Sequence, residues 1–375
     1  MERLTPGPAP RARDTWYYTR DIEDDLRDLN LPEGVKAEIF ARYLAFMRII
    51  IISIVAEFKG TIVDVLASDN LLGYSVPDLL DTLFQGSPMR ENMARELSTC
   101  ILFMAEKSSS RRDGKLFRRY FRMRDCDGLA RFTIMAALAC NDILDVCFSE
   151  EQLEIFGEIG LTMYDAVAFY KHRSEGEVCS TFAYAPDDMR VAAFRQCREV
   201  LWALDAAWAG RPGMLIAPTV LRIFGGAIHM LMRRYQFVDE NLTIGVPETE
   251  EVVSLTRANF KLWYRIDADK TKKVSEESFQ RYKDVLARSE EVLFPGLAQT
   301  LETAGDGNCD TCIHRASYGA EDTYCFGGVQ LCDDCRASWR HFLESFPDRA
   351  AKAFPELGDM NRDMNPSAMV LYQIP

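Results

Sequence analysis

Residues Leu129–Glu151 read LARFTIMAALACNDILDVCFSEE. The first dozen are mostly apolar with small Ala and Cys among them, which predicts a helix buried nearly all round. The run then meets Asn141, Asp142 and Asp145. If the helix continues, positions i, i+1 and i+4 share one face, and three oxygen-bearing side chains gather at its end. Carboxylates left alone in such a place are costly, and a hard cation such as Mg²⁺ relieves the cost. Mg²⁺ takes one or two carboxylates, keeps several waters and completes its shell with substrate phosphate oxygens. Two readings therefore stand: a metal site at the mouth of a helical pocket that binds a diphosphate, or a polar helix end facing solvent.

Working outward, Glu38 falls among apolar neighbours in VKAEIF, and a long apolar stretch follows, RYLAFMRIIIISIVAEFKGTIVDVLA. Its length and its Ala, Met, Glu and Lys favour helix over a buried strand. Glu57 sits in its middle and Asp64 two turns on, and a carboxylate in so apolar a helix needs a cation, a hydrogen-bond partner or the surface. Further helices are expected over Val76–Phe84, Arg90–Glu106, Tyr164–Arg173 and Val191–Ala209. Ser108–Arg124 is strongly basic, either a solvated face or the neighbourhood of an anion pocket. Thr219–Phe237 carries Gly225-Gly226 inside an apolar helix, the mark of a break or of a close backbone approach. Arg222 precedes that break by a turn, and Arg233, Arg234 and Tyr235 follow it. With Lys171 and Arg173 they are candidates for gripping a diphosphate. His229 reads as a core histidine rather than a ligand. Asn259 and Asp267, eight apart on the helix expected over Glu248–Lys270, suit a second metal site, although Trp263 stands between them. Asp24, Asp25 and Asp28 imitate an aspartate-rich motif, but their surroundings read as a solvated surface helix. No strand pattern appears before residue 300, so the body over 16–300 is predicted all-α.

Of 375 residues 48% are hydrophobic, enough for a large core, and the net charge of −13 argues against a nucleic-acid surface. The most hydrophobic run, Ile49–Ala56, is too short to span a bilayer, and Met1–Arg13 lacks the apolar segment expected of a signal peptide. Eleven cysteines, an odd number and many of them single, fit a reducing, cytoplasmic setting. Irregular tails are expected at 1–15 and 358–375.

Residues 301–357 form a different region. Cys309-x₂-Cys312 and Cys332-x₂-Cys335, nineteen residues apart, have the spacing of a four-thiolate zinc knuckle or ribbon. Four thiolates close the tetrahedron, so the zinc is expected to be structural, with His314 and Cys325 left to packing. A helix over Ala337–Phe354, interrupted at Pro347, is expected to pack back on the body.

The words DTWYY, LAFMRIII, DNLLGY, FRMRDCDGLARFTI, ALACND, YDAVAFYKHR, QCREVLWALDAAWA, FGGAIHM, MRRY and NFKLW resemble the fungal α-ionylideneethane synthase family, as do the paired cysteine hooks with FGGV between them. The resemblance runs from about Asp14 to Leu357. It implies a class I terpene synthase-like helical bundle that acts on farnesyl diphosphate with Mg²⁺. The implied products are C15 terpenes such as α-ionylideneethane or a brasilane-type alcohol such as trichobrasilenol, made in fungal secondary metabolism. It further implies that Asn141, Asp142 and Asp145 replace the usual aspartate-rich motif and that Arg222 senses diphosphate. The same resemblance makes Glu38 and Glu57 candidates for metal binding or proton transfer, while the family's departure from the usual second metal motif puts Asn259 and Asp267 in doubt. Relative to the family pattern the chain is shorter where Arg42-Tyr43 and Tyr120-Phe121 join neighbouring words. The rival from another class is a non-catalytic helical adaptor whose zinc knuckle binds protein partners.

Overall fold

The computed structural model describes residues 37–59, 70–71, 73–109, 117–175, 180–183, 188–231, 241–245, 249–259, 309, 311–314 and 329–358, with 247, 280, 283–284 and 287–288 as isolated positions. Helices dominate, and the only strands among the described residues are two antiparallel pairs of two residues each. The all-α expectation holds, with one small correction before residue 300. Strands β1 (Asn70–Leu71) and β2 (Tyr74–Ser75) form a hairpin, closed with Gly73 at φ 88°, a backbone conformation glycine adopts at little cost.

Contacts group the chain into two compact units. The first holds residues 1–112, 139–142 and 250–304, and the second 113–138, 143–249 and 305–375.

In the first unit, α1 (Ala37–Lys59) packs on α2 (Val76–Leu83) and α3 (Arg90–Ser109). Leu44, Ala45, Ile49 and Ile52 of α1 bury with Leu79, Leu80 and Leu83 of α2 and Met93 and Leu97 of α3. Ser75 caps α2 by accepting from the Asp78 N–H at 3.3 Å, and Pro77 occupies the first turn, where its missing N–H costs nothing. The Arg42-Tyr43 junction lies inside α1.

The second unit begins with α4 (Phe117–Gly128) and α5 (Ala130–Cys140), which enters the first unit at its last two residues. Only Thr133 and Ala137 of α5 escape full burial, as the apolar pattern predicts. Next come α6 (Glu150–Val167), α7 (Phe169–Glu175), a 3₁₀ turn at Thr181–Ala183 and α8 (Met189–Ala207). Ser149 and Gln152 close a capping box at the start of α6. The helix expected over Tyr164–Arg173 is two, broken at Ala168. After α8 follow α9 (Ile216–Phe224) and α10 (Ala227–Leu231), separated by Gly225-Gly226. A Cβ on Gly225 would lie 2.5 Å from Met163 Cε, so the break and the close approach are one feature. The first unit also contains α11 (Glu250–Asn259).

Strands β3 (Ile313–His314) and β4 (Val329–Gln330) pair in register Ile313↔Gln330, and α12 (Asp333–Glu344) and α13 (Phe346–Ala353) follow. The interruption expected at Pro347 is observed: α12 stops before Ser345, and Pro347 sits in the first turn of α13. These helices do pack back on the body. Trp339 lies edge-on to Tyr120 at 5.3 Å, and Arg349 grips Glu158 of α6 through two bonds of 2.5 and 2.6 Å. The Tyr120-Phe121 junction is thus inside both a helix and a core. Around Phe156 a second aromatic group gathers Phe148, Trp208 and Phe354.

Candidate functional site

The acidic turn after α5 departs from the expected geometry. The helix stops at Cys140 because Asp142 adopts φ 59° and its N–H bonds Ala139 O, while Ile143 N–H bonds Leu138 O at 3.0 Å. This is a left-handed helix stop, in a conformation that Asp and Asn tolerate better than most residues. Asn141, Asp142 and Asp145 therefore do not share a helical face, and all three are exposed. They remain hard oxygen donors in contact with water, the donor chemistry that suits Mg²⁺.

Within the first unit Arg42 holds this turn. Its Nη1 donates to Asp142 Oδ1 and to Ala139 O, both at 2.9 Å, and its Nη2 donates to Gln85 O at 3.3 Å. A buried guanidinium here meets both a carboxylate and the negative end of α5. Glu38, one turn earlier on α1, is exposed on the same face as Arg42. Burial pushes the neighbouring Cys140 thiol up to about 11, with Arg42 opposing that shift.

The buried polar centre of the second unit was not singled out by sequence. Asp165, fully buried on α6, accepts from Arg124 Nη2 at 2.8 Å and from Thr181 N and Oγ1 at 2.6 and 2.8 Å. His172 Nδ1 stands 3.7 Å away, Tyr164 stacks on His229, and Arg124 lies 5.7 Å from the Tyr164 ring centroid. Arg124 also pairs with Asp127. Burial works against the Arg124 charge, yet Asp165 and Asp127 outweigh it and raise its pKa well above the ordinary value. A signal for Asp165 was available: it is a lone carboxylate in the apolar run GLTMYDAVAF, the same pattern that drew attention to Glu57.

The second unit also holds a cavity of about 370 Å³. Arg122, Arg131, Arg349 and Lys352 line it together with Asp125, Glu154 and Glu158. Arg131 is tied to Asp125 at 2.7 Å and to Glu150 at 2.5 Å. With Glu151 the carboxylates number four against four cations, so the walls are charged but balanced, and burying a fifteen-carbon chain there would strip water from every ion.

Of the remaining candidates, Glu57 lies within α1, and its side chain is outside the described part, as is all of Asp64. Asn259 is the last residue of α11, again without a described side chain, and Asp267, Arg233, Arg234 and Tyr235 fall outside the described residues. Arg222 is engaged by Asp205 of α8 and donates to Leu201 O at 3.3 Å. Lys171 is buried, and Arg173 lies over Phe169, 4.8 Å from the ring centroid. His229 is buried, as a core residue should be. The four hook cysteines converge, their Sγ atoms all within 4.8 Å of one another. Backbone N–H groups of Thr311 and Cys312 hold the Cys309 thiol down to about 6. Cys325 lies outside the described residues.

A family model described as alpha-ionylideneethane synthase aba3 matches residues 14–356. The chain belongs to the α-ionylideneethane synthase family. Family members similar to it include an alpha-ionylideneethane synthase aba3 of Botryotinia fuckeliana, 57% identical over 92% of this chain and 84% of the relative. An alpha-ionylideneethane synthase abl3 of Leptosphaeria maculans is 54% identical over 92% and 87%. One of Pyricularia oryzae is 45% identical over 435 residues, more than this chain contains, so this α-ionylideneethane synthase relative carries segments without a counterpart here.

Proposed function

We propose that the protein is a sesquiterpene synthase that ionises farnesyl diphosphate with Mg²⁺ and forms a C15 product such as α-ionylideneethane or a brasilane-type alcohol. The observation that carries this reading is the family match across residues 14–356. The same match weighs against a purely adaptor role, because the relatives named above are synthases. An all-helical scaffold suits a class I cyclisation, which needs a water-excluding pocket and carboxylates near its mouth. None of the helices among the described residues is long and apolar enough to cross a membrane, which fits a substrate met outside the bilayer core.

The first unit supplies the metal-binding side of this proposal. Asn141 and Asp142 offer oxygens on one turn, Glu38 and Glu57 come from α1, and Asn259 remains a further candidate, whereas Asp145 belongs to the second unit and is a candidate there. Mg²⁺ bound there would supply positive charge to the departing diphosphate. Arg42 is the positioning residue: it fixes the Asp142 carboxylate against a helix end, so the turn is ordered before any cation arrives.

The purified chain incubated with farnesyl diphosphate and Mg²⁺ is expected to release diphosphate and a C15 hydrocarbon or alcohol, and EDTA is expected to stop both. Mass spectrometry of the organic extract identifies the product. Diphosphate release that persists after complete metal removal would refute the Mg²⁺ part of the proposal.

Glu57→Gln keeps shape but removes charge and basicity. The variant is expected to retain the wild-type circular dichroism while losing most product formation. An unchanged rate and product profile would return Glu57 to a structural role.

A further inference from the structure

We infer that Cys309, Cys312, Cys332 and Cys335 bind one structural zinc ion that staples the C-terminal helices to the core around α4. The proposal is independent of the reaction proposed above. The first hook is a tight turn that Cys312 N–H closes on Cys309 O at 3.1 Å, and the second is the first turn of α12 with Cys332 as its N-cap. The antiparallel pair β3–β4 then brings the two hooks together across the intervening residues. All four sulfurs lie within 4.8 Å of one another, and Cys309 Sγ is 3.7 Å from Cys332 Sγ. A tetrahedron with Zn–S arms of about 2.3 Å has edges of about 3.8 Å, so this separation is the edge of a zinc–thiolate site. It is far beyond the ~2.05 Å of a disulfide.

The surroundings suit thiolates. Cys332 N–H points at Cys312 Sγ at 3.4 Å, a donor directed at sulfur. Cys332 is also the N-cap of α12, yet its side chain makes no capping bond and its sulfur joins the other three instead. Four soft ligands select zinc over the oxygen-seeking Mg²⁺, and a closed sphere leaves no position for water or substrate.

The consequence for the fold follows from what the hooks touch. Cys312 and Leu331 bury in the same core as Tyr120, Phe121, Trp339 and Leu343, and the other three cysteines pack against it. Cys332 and Cys335 sit at the start of α12, so fixing them fixes the helix that presents Trp339 to Tyr120 and Phe121.

The test is elemental analysis of the full chain, purified under reducing conditions without added metal. One zinc per chain is expected. Cys309→Ser and Cys335→Ser should each lose more than half of it, whereas Cys147→Ser, at an exposed cysteine elsewhere, should keep it all. Melting temperature should fall with zinc content, since the metal stabilises only the folded form. If the serine variants do not fold, exchange of the wild-type metal for Co²⁺ still decides, because four thiolates give an intense sulfur-to-cobalt absorption. A wild-type chain without zinc, iron in its place, a disulfide between any two hooks, or serine variants that retain zinc would each overturn the proposal.

Discussion

Asp142→Asn is expected to lower sesquiterpene formation by about 100-fold or more while leaving helical circular dichroism and melting temperature nearly unchanged, since even outer-shell partners of a catalytic metal cost ~10–100-fold when removed. The structure dictates this choice of substitution. Asp142 has φ 59°, and Asn is among the residues that tolerate that conformation. Asn also keeps an oxygen that accepts from Arg42 Nη1, so the buried guanidinium is not abandoned. What Asn removes is the negative charge on which Mg²⁺ binding would depend. Alanine is the poorer probe, because it would combine backbone strain with loss of the Arg42 partner. Asp142→Gly relieves the backbone and deletes the side chain, and it should lose product to the same degree. Asp145→Ala should be impaired as well. If all three variants turn over at near wild-type rates, the turn is a helix stop and nothing more.

Asp165→Leu is expected to destabilise the second unit by about 3–5 kcal/mol, lowering its melting temperature by roughly 10 °C. Asp165 is fully buried and answers three donors: Arg124 Nη2, Thr181 N and Thr181 Oγ1. Removing it leaves the buried Arg124 guanidinium to Asp127 and two Thr181 donors to resatisfy. Arg124→Met should cost a similar amount by stranding the carboxylate. The double variant Arg124→Met/Asp165→Leu should be less destabilised than the sum of the two single changes by about 1 kcal/mol or more, because neither charge is then left alone. Thermal and urea unfolding of the four proteins measure the coupling. Strict additivity would show that the two residues do not act as one ionic unit.

The sequence by itself determined the all-α class, because apolar periodicity at helical spacing and the absence of alternating patterns are local properties. The Gly225-Gly226 break, the stop ahead of Pro347 and the burial of α5 were legible for the same reason. The two Cys-x₂-Cys hooks were legible as local spacings too, and the β3–β4 pairing is what brings them together.

Only the tertiary structure decided the rest. Nothing within the residues LACNDILD reveals that α5 ends at Cys140, because a left-handed stop at Asp142 is paired with Arg42, a hundred residues away in sequence. The shared helical face expected for Asn141, Asp142 and Asp145 failed for that reason. Asp165 and Arg124 became a pair only when α4 and α6 packed, because a buried charge is intelligible only through its partner. The division into two units likewise depends on residues 139–142 leaving the rest of α5 to join α1, a choice made by long-range contacts. Periodicity reports which face of a helix is apolar, and packing decides which charge meets it.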